Sequence, residues 1–471
     1  MSHEIRANYN QLLLIPPSLD DLLPANHPAR FIREFVDSLD LSGMGFKQPR
    51  TDEGRPCYAA DLLLKVWIYG FLERIRTTRK LEKACRQHVG LMWLTGMHYP
   101  DHNSLWRFWR DNRKALKDVF RKTVHLAMKM ELVDMVLNAV DGTKIAAASS
   151  TRAMWGKESL KETLAWLEKL IEKAMAEVEA GEKSEGGEYA LPGALKDKVA
   201  LREKIREKLQ ELEKEQRSCM HPGEREAQVM KTQEGKRLGY NGQAVVDAKA
   251  GIIVAAEVTT EQNDKRQLVP MIEAAREVVG KAADESVADA GYCSGEQLAK
   301  AEAQNLAVTV SLKELKKAEE NGGEFHASKF TYDCERDCCV CPLGGVLAFQ
   351  HTKKASGQDY EVRQYRCQRF KQCSRRWECS RDKRGRTLEI NPYRDEILRQ
   401  REKQSKQDTN GLLRKRMALV EPVFAWIKHL LGFRRWTMRG LEKVKAQWAF
   451  VCAVVNLSKM YSLWAAAGIA G

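Results

Sequence analysis

Apolar positions in the first 130 residues recur at helical spacing. Leu62, Leu63, Val66, Ile68, Tyr69 and Leu72 form one apolar helix face or a buried helix, entered from a loop around Gly54 and Pro56. After Pro100, Asn103 or Ser104 can cap a run bearing Leu105, Phe108, Trp109, Leu116, Val119 and Phe120. The other face of that run carries Arg107, Arg110, Arg113, Lys114 and Lys117. Helices of this kind, joined by tight turns, are compatible with a helix-turn-helix DNA reader and also with a plain bundle whose basic face is solvated.

Near residue 135 the period changes. Residues 135–140, 145–148, 243–246, 252–258 and 308–310 predict strands, with 247–251 a hairpin turn. Residues 265–279 predict a helix with Leu268, Met271, Ile272 and Ala275 on one face. This order predicts an α/β fold, a mixed sheet flanked by helices. Between the strands, Leu160, Leu164, Leu167, Ile171, Ala174 and Val178 make a heptad-like stripe. Leu201, Ile205, Leu209 and Leu212 repeat it after a glycine-rich break near 181–193. The pair predicts an antiparallel helical-hairpin insertion, an interaction or spacing arm or a solvated excursion.

Charge narrows the partner. The 471 residues hold 78 Lys and Arg against 64 Asp and Glu, a net charge of +14, which favours a polyanionic partner without fixing a fold. The polar start MSHEIRANYN lacks a signal-peptide layout, and the late apolar run from Trp448 to Leu457 is broken by Asn456 and followed by Lys459. The expectation is a cytoplasmic protein with no membrane partner. Seven of the twelve cysteines crowd between Cys334 and Cys379, and without an export signal metal binding is favoured over disulfides. Cys334, Cys338, Cys341, Cys367, Cys373 and Cys379 are candidate ligands of a structural Zn²⁺, which needs four; reduced thiols and an iron–sulfur cluster are the alternatives. Nine Lys or Arg against Glu378 and Asp382 between Arg366 and Arg386 add a dense basic run suited to phosphate contact.

Three carboxylates stand in apolar surroundings: Asp141 in VLNAVDGTKIAA, Asp289 in ESVADAGYCSG and Glu421 in MALVEPVFAWIK. Each has a plain role open to it, as a turn residue, a helix cap or a partner of Lys428. Together they could hold a pair of hard Mg²⁺ ions, which would activate water or a sugar hydroxyl against a phosphodiester.

The segments IPPSLDDLLPANHPAR, YAADLLLKVWIYGFLERIRTTRKLEKACR and LTGMHYPDHNSLWRFWR come first. VDGTKI, GYNGQAVVD, ADAGYCSGEQL and VEPVFAWIKHLLGFRRWTMRGLEKVKAQWAF follow in order. In this series most of the chain resembles a DDE transposase of bacterial insertion sequences, closest to the group numbered eleven-eighty-two. The resemblance implies a ribonuclease-H-like catalytic domain over 133–465, interrupted by a helical arm at 156–220 and a Cys-rich basic insertion at 325–410. It also implies an all-helical DNA-binding domain over 1–132. Asp141, Asp289 and Glu421 are implied as ligands of two Mg²⁺ or Mn²⁺ ions. In the family motif Tyr-x2-Arg-x3-Glu-x6-Lys, Glu421 and Lys428 match. The Tyr and Arg places hold Arg414 and Met417, with Arg416 one position off and Glu442 in reserve.

Seven residues at about 100° each bring Lys428 back to the face of Glu421 in a regular helix, although Pro422 favours placing Glu421 at the helix start. Lys428, Arg434, Arg435 and Arg439, with Arg107 and Arg110, are the candidate DNA contacts. The implied partners are double-stranded DNA, as terminal inverted repeats and target, and further copies of the chain in a homodimer or larger assembly. Two other readings stay open: a zinc-stabilised DNA-binding derivative without catalysis, and a hydrolytic nuclease without strand transfer.

Overall fold

In the computed structural model, the described residues are 18–47, 57–150, 154–185, 193–215, 217–232, 235–312, 323–355, 360–406, 409–466 and 468. The loop around Gly54 and Pro56 and the centre of the glycine-rich break, 186–192, lie outside them. The chain begins with helices α1 (Pro28–Asp37), α2 (Ala60–Leu72), α3 (Thr78–Ala84), α4 (Val89–Thr95), α5 (His102–Asp111) and α6 (Arg113–Lys129). Helix α2 is buried on all sides from Leu63 to Phe71, which settles it as a core helix rather than an amphipathic one. Asp101, not Asn103 or Ser104, caps α5, because its carboxylate accepts from both of their amides. The single run expected beyond Pro100 is two helices. Buried Asn112 separates them, its side chain accepting from Lys47 N at 2.8 Å and donating to Phe108 O at 2.9 Å.

The sheet follows the predicted order. Its strands are β1 (Leu137–Ala146), β4 (Gln228–Thr232), β5 (Gly235–Asp247), β6 (Ile253–Thr259), β7 (Glu285–Ala288) and β8 (Val308–Val310), arranged β4-β5-β1-β7-β8 with β6 also on β5. Strands β5 and β6 run antiparallel to their neighbours, while β7 and β8 run parallel to β1 and to each other. Helices α9 (Leu268–Val279) and α10 (Gly295–Ala303) supply the crossovers that parallel strands require. This is the expected mixed sheet flanked by helices. The two pieces predicted at 135–140 and 145–148 are one continuous strand through Asp141 and Gly142.

Short strands β2 (Trp155–Gly156) and β3 (Cys219–Met220) pair at the base of the helical hairpin α7 (Lys157–Glu185) and α8 (Gly193–Lys214). The Cys-rich insertion is more regular than its composition predicts. Strands β9 (Thr331–Asp333), β10 (Cys338–Val340), β11 (Val346–Lys354), β12 (Glu361–Cys367) and β13 (Thr387–Ile390) form an antiparallel meander, with the one-turn helix α11 (Arg376–Cys379) before β13. Phe330, Cys339, Leu347, Tyr365 and Leu388 give it a small core of its own.

The chain then returns to the main sheet through α12 (Arg394–Lys406), α13 (Thr409–Ala425), a π-helical turn at Trp426–Leu430 and α14 (Leu441–Ala466). By length and composition α14 could cross a membrane, but it is a core helix, buried against α6, β6 and α2. Asn456, which interrupts its apolar run, is fully buried. Its amide accepts from Ile253 N at 2.9 Å and donates to Ile253 O at 2.9 Å, closing the edge of β6. Asn456→Ala should strand both backbone groups and lower stability by about 1–3 kcal/mol, read by chemical denaturation.

Candidate active site

Strand register brings the first two carboxylates together. Val140 stands opposite Ala288 in the parallel β1–β7 pair, and β7 ends there. Asp289 therefore leaves the sheet beside Asp141, while β1 continues on β5 with Asp141 opposite Ala244. Asp289 caps a 3₁₀ turn at Ala290–Tyr292 by accepting from Gly291 N at 2.9 Å. Burial pushes the Asp141 carboxyl up to about 6; Asp289 adds to the rise, while Arg416 and the Gly142 amide oppose it.

Gly142 has a spatial role rather than the turn role its dipeptide allowed. A Cβ there would stand 2.3 Å from Gln243 Nε2, so only glycine lets the Gln243 side chain lie over β1. The Gln243 carboxamide donates to Asp264 Oδ1 at 2.7 Å, and the buried Tyr292 hydroxyl donates to Gln243 Oε1. Asn241 Nδ2 also reaches Asp264 Oδ1, at 2.6 Å, and Lys144 Nζ reaches Asp264 Oδ2 at 3.2 Å. Asp264 was not legible as a site residue, because it lies in the polar stretch TTEQNDKRQ with no apolar context to mark it.

The third segment approaches through α13. Arg416 Nη1 meets Asp141 Oδ2 at 3.0 Å in an off-axis ion pair, both side chains largely buried at 11% and 20% exposure. Lys428, in the π-helical turn, is half-buried and within electrostatic reach of Asp141, and burial lowers its pKa. Glu421 differs. It lies well inside α13 rather than at a helix start, it is exposed, and it makes no ion pair among the described residues. The inward face of α13 is instead Arg416, Val420 and Val423, followed by Ile427. Between Glu421 and Lys428, α13 contains Pro422 and gives way to a π turn, both of which disturb the regular helical stepping that a shared face assumes. Glu442, the reserve carboxylate, pairs with Lys117 at the surface, at 3.3 Å.

Residues 340–461 match the transposase DDE domain, and residues 17–111 match a transposase domain of the DUF772 family. Two segments of the chain, together less than half of it, thus resemble transposase domains. No curated protein and no solved structure matches it. The DDE match contains Arg416, Glu421 and Lys428, and the N-terminal match contains Arg107 and Arg110, while Asp141 and Asp289 lie between the two. These transposase domains imply DNA binding and DNA transposition.

The expected DNA contacts fall into two kinds. Arg107, Arg434, Arg435 and Arg439 are exposed, and so is Arg110, which pairs with Asp111 and lies over the Trp106 ring at 4.9 Å. Arg435 also has a structural task, since its Nε donates to Ala147 O at 3.0 Å beyond the end of β1. The six candidate zinc cysteines do not converge as a group. Cys334 and Cys338 flank the β9–β10 turn, whereas Cys341, Cys367, Cys373 and Cys379 gather at the opposite end of β10. Burial raises the pKa of Cys379, with further rises from Cys367, Cys341 and Cys373 against an opposing Arg386. Gly345 N donates to Cys341 Sγ at 3.1 Å. Among the described residues, no three His, Cys, Asp or Glu side chains stand as a formed metal cage.

Because Asp141 is more easily protonated in the fold than its ordinary value of 3.8, its ionisation opposes folding. The wild-type protein should therefore lose stability relative to Asp141→Asn as pH rises from about 4 to about 6, with a constant gap above pH 7. Denaturant titrations of both proteins across that range check this; a gap independent of pH contradicts it.

Proposed function

We propose that this chain is a transposase of the eleven-eighty-two-like group that cuts DNA at the ends of its element and joins the freed 3′-hydroxyl to target DNA. The observation that carries the reading is the adjacency of Asp141 and Asp289 at neighbouring parallel strands, beneath the helix contributed by the matched DDE segment. The donor set fits a hard divalent cation. Burial raises the Asp141 carboxyl and the nearby Asp289 charge adds to the rise, and a cation between the two carboxylates would offset both. Asp141 and Asp289, with Glu421 as the proposed third ligand, would hold Mg²⁺ or Mn²⁺, two per site. The ions supply an activated oxygen nucleophile and stabilise the leaving oxygen.

The chain's own residues do the rest. Arg416 orients Asp141, and the half-buried Lys428 offers an ammonium to a phosphate beside the pair. The exposed arginines Arg434, Arg435 and Arg439, with Arg107 and Arg110 on α5, track the duplex backbone, so binding weakens steeply with salt. The reading places the protein in the cytoplasm on the nucleoid, with two DNA ends held by a dimer or larger assembly. Cys341, Cys367, Cys373 and Cys379 would close on one Zn²⁺ and stiffen the basic end of the meander.

The exposed position of Glu421 favours a second reading, a DNA-binding derivative without catalysis. End-cleavage assays on DNA carrying the native flanks, with and without Mg²⁺ or Mn²⁺, separate the two. Wild type should cut only with metal, and Asp141→Asn, Asp289→Asn and Glu421→Gln should fall to background while still binding the ends. Either Asp variant cutting at the wild-type rate sinks the assignment, and wild type that binds but never nicks supports the derivative. Cut ends without joined products indicate a nuclease instead. For the cysteines, elemental analysis should find about one zinc per chain, and well-folded zinc-free protein removes that part.

A further inference from the structure

The geometry points to Asp264 as a positioning residue that holds the Asp289 turn against β1. We infer that it acts through a relay, Tyr292 to Gln243 to Asp264, and not by touching a cation. The inference rests on the proposed metal-dependent DNA chemistry only for its consequence, since the relay itself is drawn from contacts within the protein.

Each link has a donor and an acceptor in a fixed sense. The Tyr292 hydroxyl can donate only if Gln243 presents its oxygen, and Gln243 then turns its NH₂ toward Asp264. A carboxylate accepts from every side, so Asp264 specifies the orientation of Gln243 from the far end. Its two oxygens are both engaged, Oδ1 by Asn241 and Gln243 and Oδ2 by Lys144. That leaves Asp264 committed to the protein, which separates it from Asp289. Tyr292 is fully buried and stands at the end of the 3₁₀ turn that Asp289 caps. Fixing its hydroxyl therefore fixes the turn. Gly291 lies between the two carboxylates: a Cβ there would stand 3.1 Å from Asp289 Oδ1 and 3.6 Å from Asp264 Oδ2. Asp264 is thus close enough to set the position of Asp289, and Gly142 and Gly291 are the two places where a side chain would block the relay or crowd the carboxylates.

The Asn241 Oδ1 atom, buried with no partner among the described residues, marks the inner edge of this network. The network also explains Lys144 in the VDGTKI segment. Its ammonium is held against Asp264 and not against Asp141, which leaves Arg416 as the cation paired with Asp141.

Hydrogen exchange over residues 288–293 of the full-length protein, with no added metal, reads the relay directly. Asp264→Ala and Tyr292→Phe should each speed exchange of these amides about tenfold, the equivalent of one lost buried hydrogen bond. Asp264→Asn keeps an oxygen facing Gln243 and Asn241, so it should stay within about threefold of wild type. Calorimetric Mn²⁺ affinity should fall in the same rank order. Unchanged exchange in both Asp264→Ala and Tyr292→Phe overturns the relay. So does Mn²⁺ binding lost equally in Asp264→Asn and Asp264→Ala, which would make Asp264 a ligand. Tyr292→Phe keeps the ring in its buried site and carries the test if Asp264→Ala does not fold. Altered exchange in a protein that binds no Mn²⁺ or cuts no DNA would count against the proposed function and leave the relay standing.

Discussion

Two carboxylates held side by side, with Asp141 largely buried, are the constraint around which this molecule is built. Asp141 and Asp289 come from strands that share a parallel register, and the shortness of β7 releases Asp289 at the level where Asp141 still belongs to the sheet. Burial and mutual repulsion both raise the Asp141 carboxyl. Arg416 offsets part of that, from a helix more than a hundred residues further along the chain. An arrangement that opposes its own folding is usually kept for what it binds, and oxygen ligands of this kind suit a hard divalent ion.

The helices around the sheet serve that arrangement. Helix α14 runs through the centre of the molecule and joins the N-terminal helices to the sheet in one continuous apolar core. Trp448 on α14 donates from its indole to Gln243 O at 2.8 Å, on the strand that carries the relay residues Asn241 and Gln243. From the N-terminal side, Arg74 reaches Leu430 O at the end of the turn that bears Lys428, and Arg76 donates to Gly432 O at 3.1 Å just beyond it. The matched N-terminal segment and the matched DDE segment therefore touch at the turn that bears Lys428.

The Cys-rich insertion solves a different problem. Its five strands carry a core of only a few large side chains, Phe330, Leu347, Tyr365 and Leu388 with Cys339. Tyr365 donates to Asp337 Oδ1 at 2.6 Å, and Arg363 pairs with the same carboxylate, which closes the β9–β10 turn without help from Cys334 or Cys338. The four cysteines at the opposite end gather where the basic run begins, so stiffening that end would order the arginines that follow Cys367.

Much of this was legible in the linear order of residues. Helical and alternating periods reveal the N-terminal helices, the principal strands and the helical hairpin, because apolar spacing is dictated by which face must be buried. Asp141 and Asp289 are visible for a related reason: a carboxylate within an apolar strand context needs a partner. Asp264 carried no such mark, because its environment is assembled from β1, β5 and the 3₁₀ turn, and no local pattern encodes a hydrogen-bond relay among them. Arg416 stands one place off the family motif, yet folding pairs it with Asp141. Pro422 favours a helix start at Glu421, whereas the residue lies well inside α13, and its outward direction depends on how α13, with Pro422 and the π turn, settles on the sheet. Local composition and period determine which elements form. The distances between charges on different elements are decided only when those elements share one core, since electrostatic and hydrogen-bond partners are chosen in space and not along the chain.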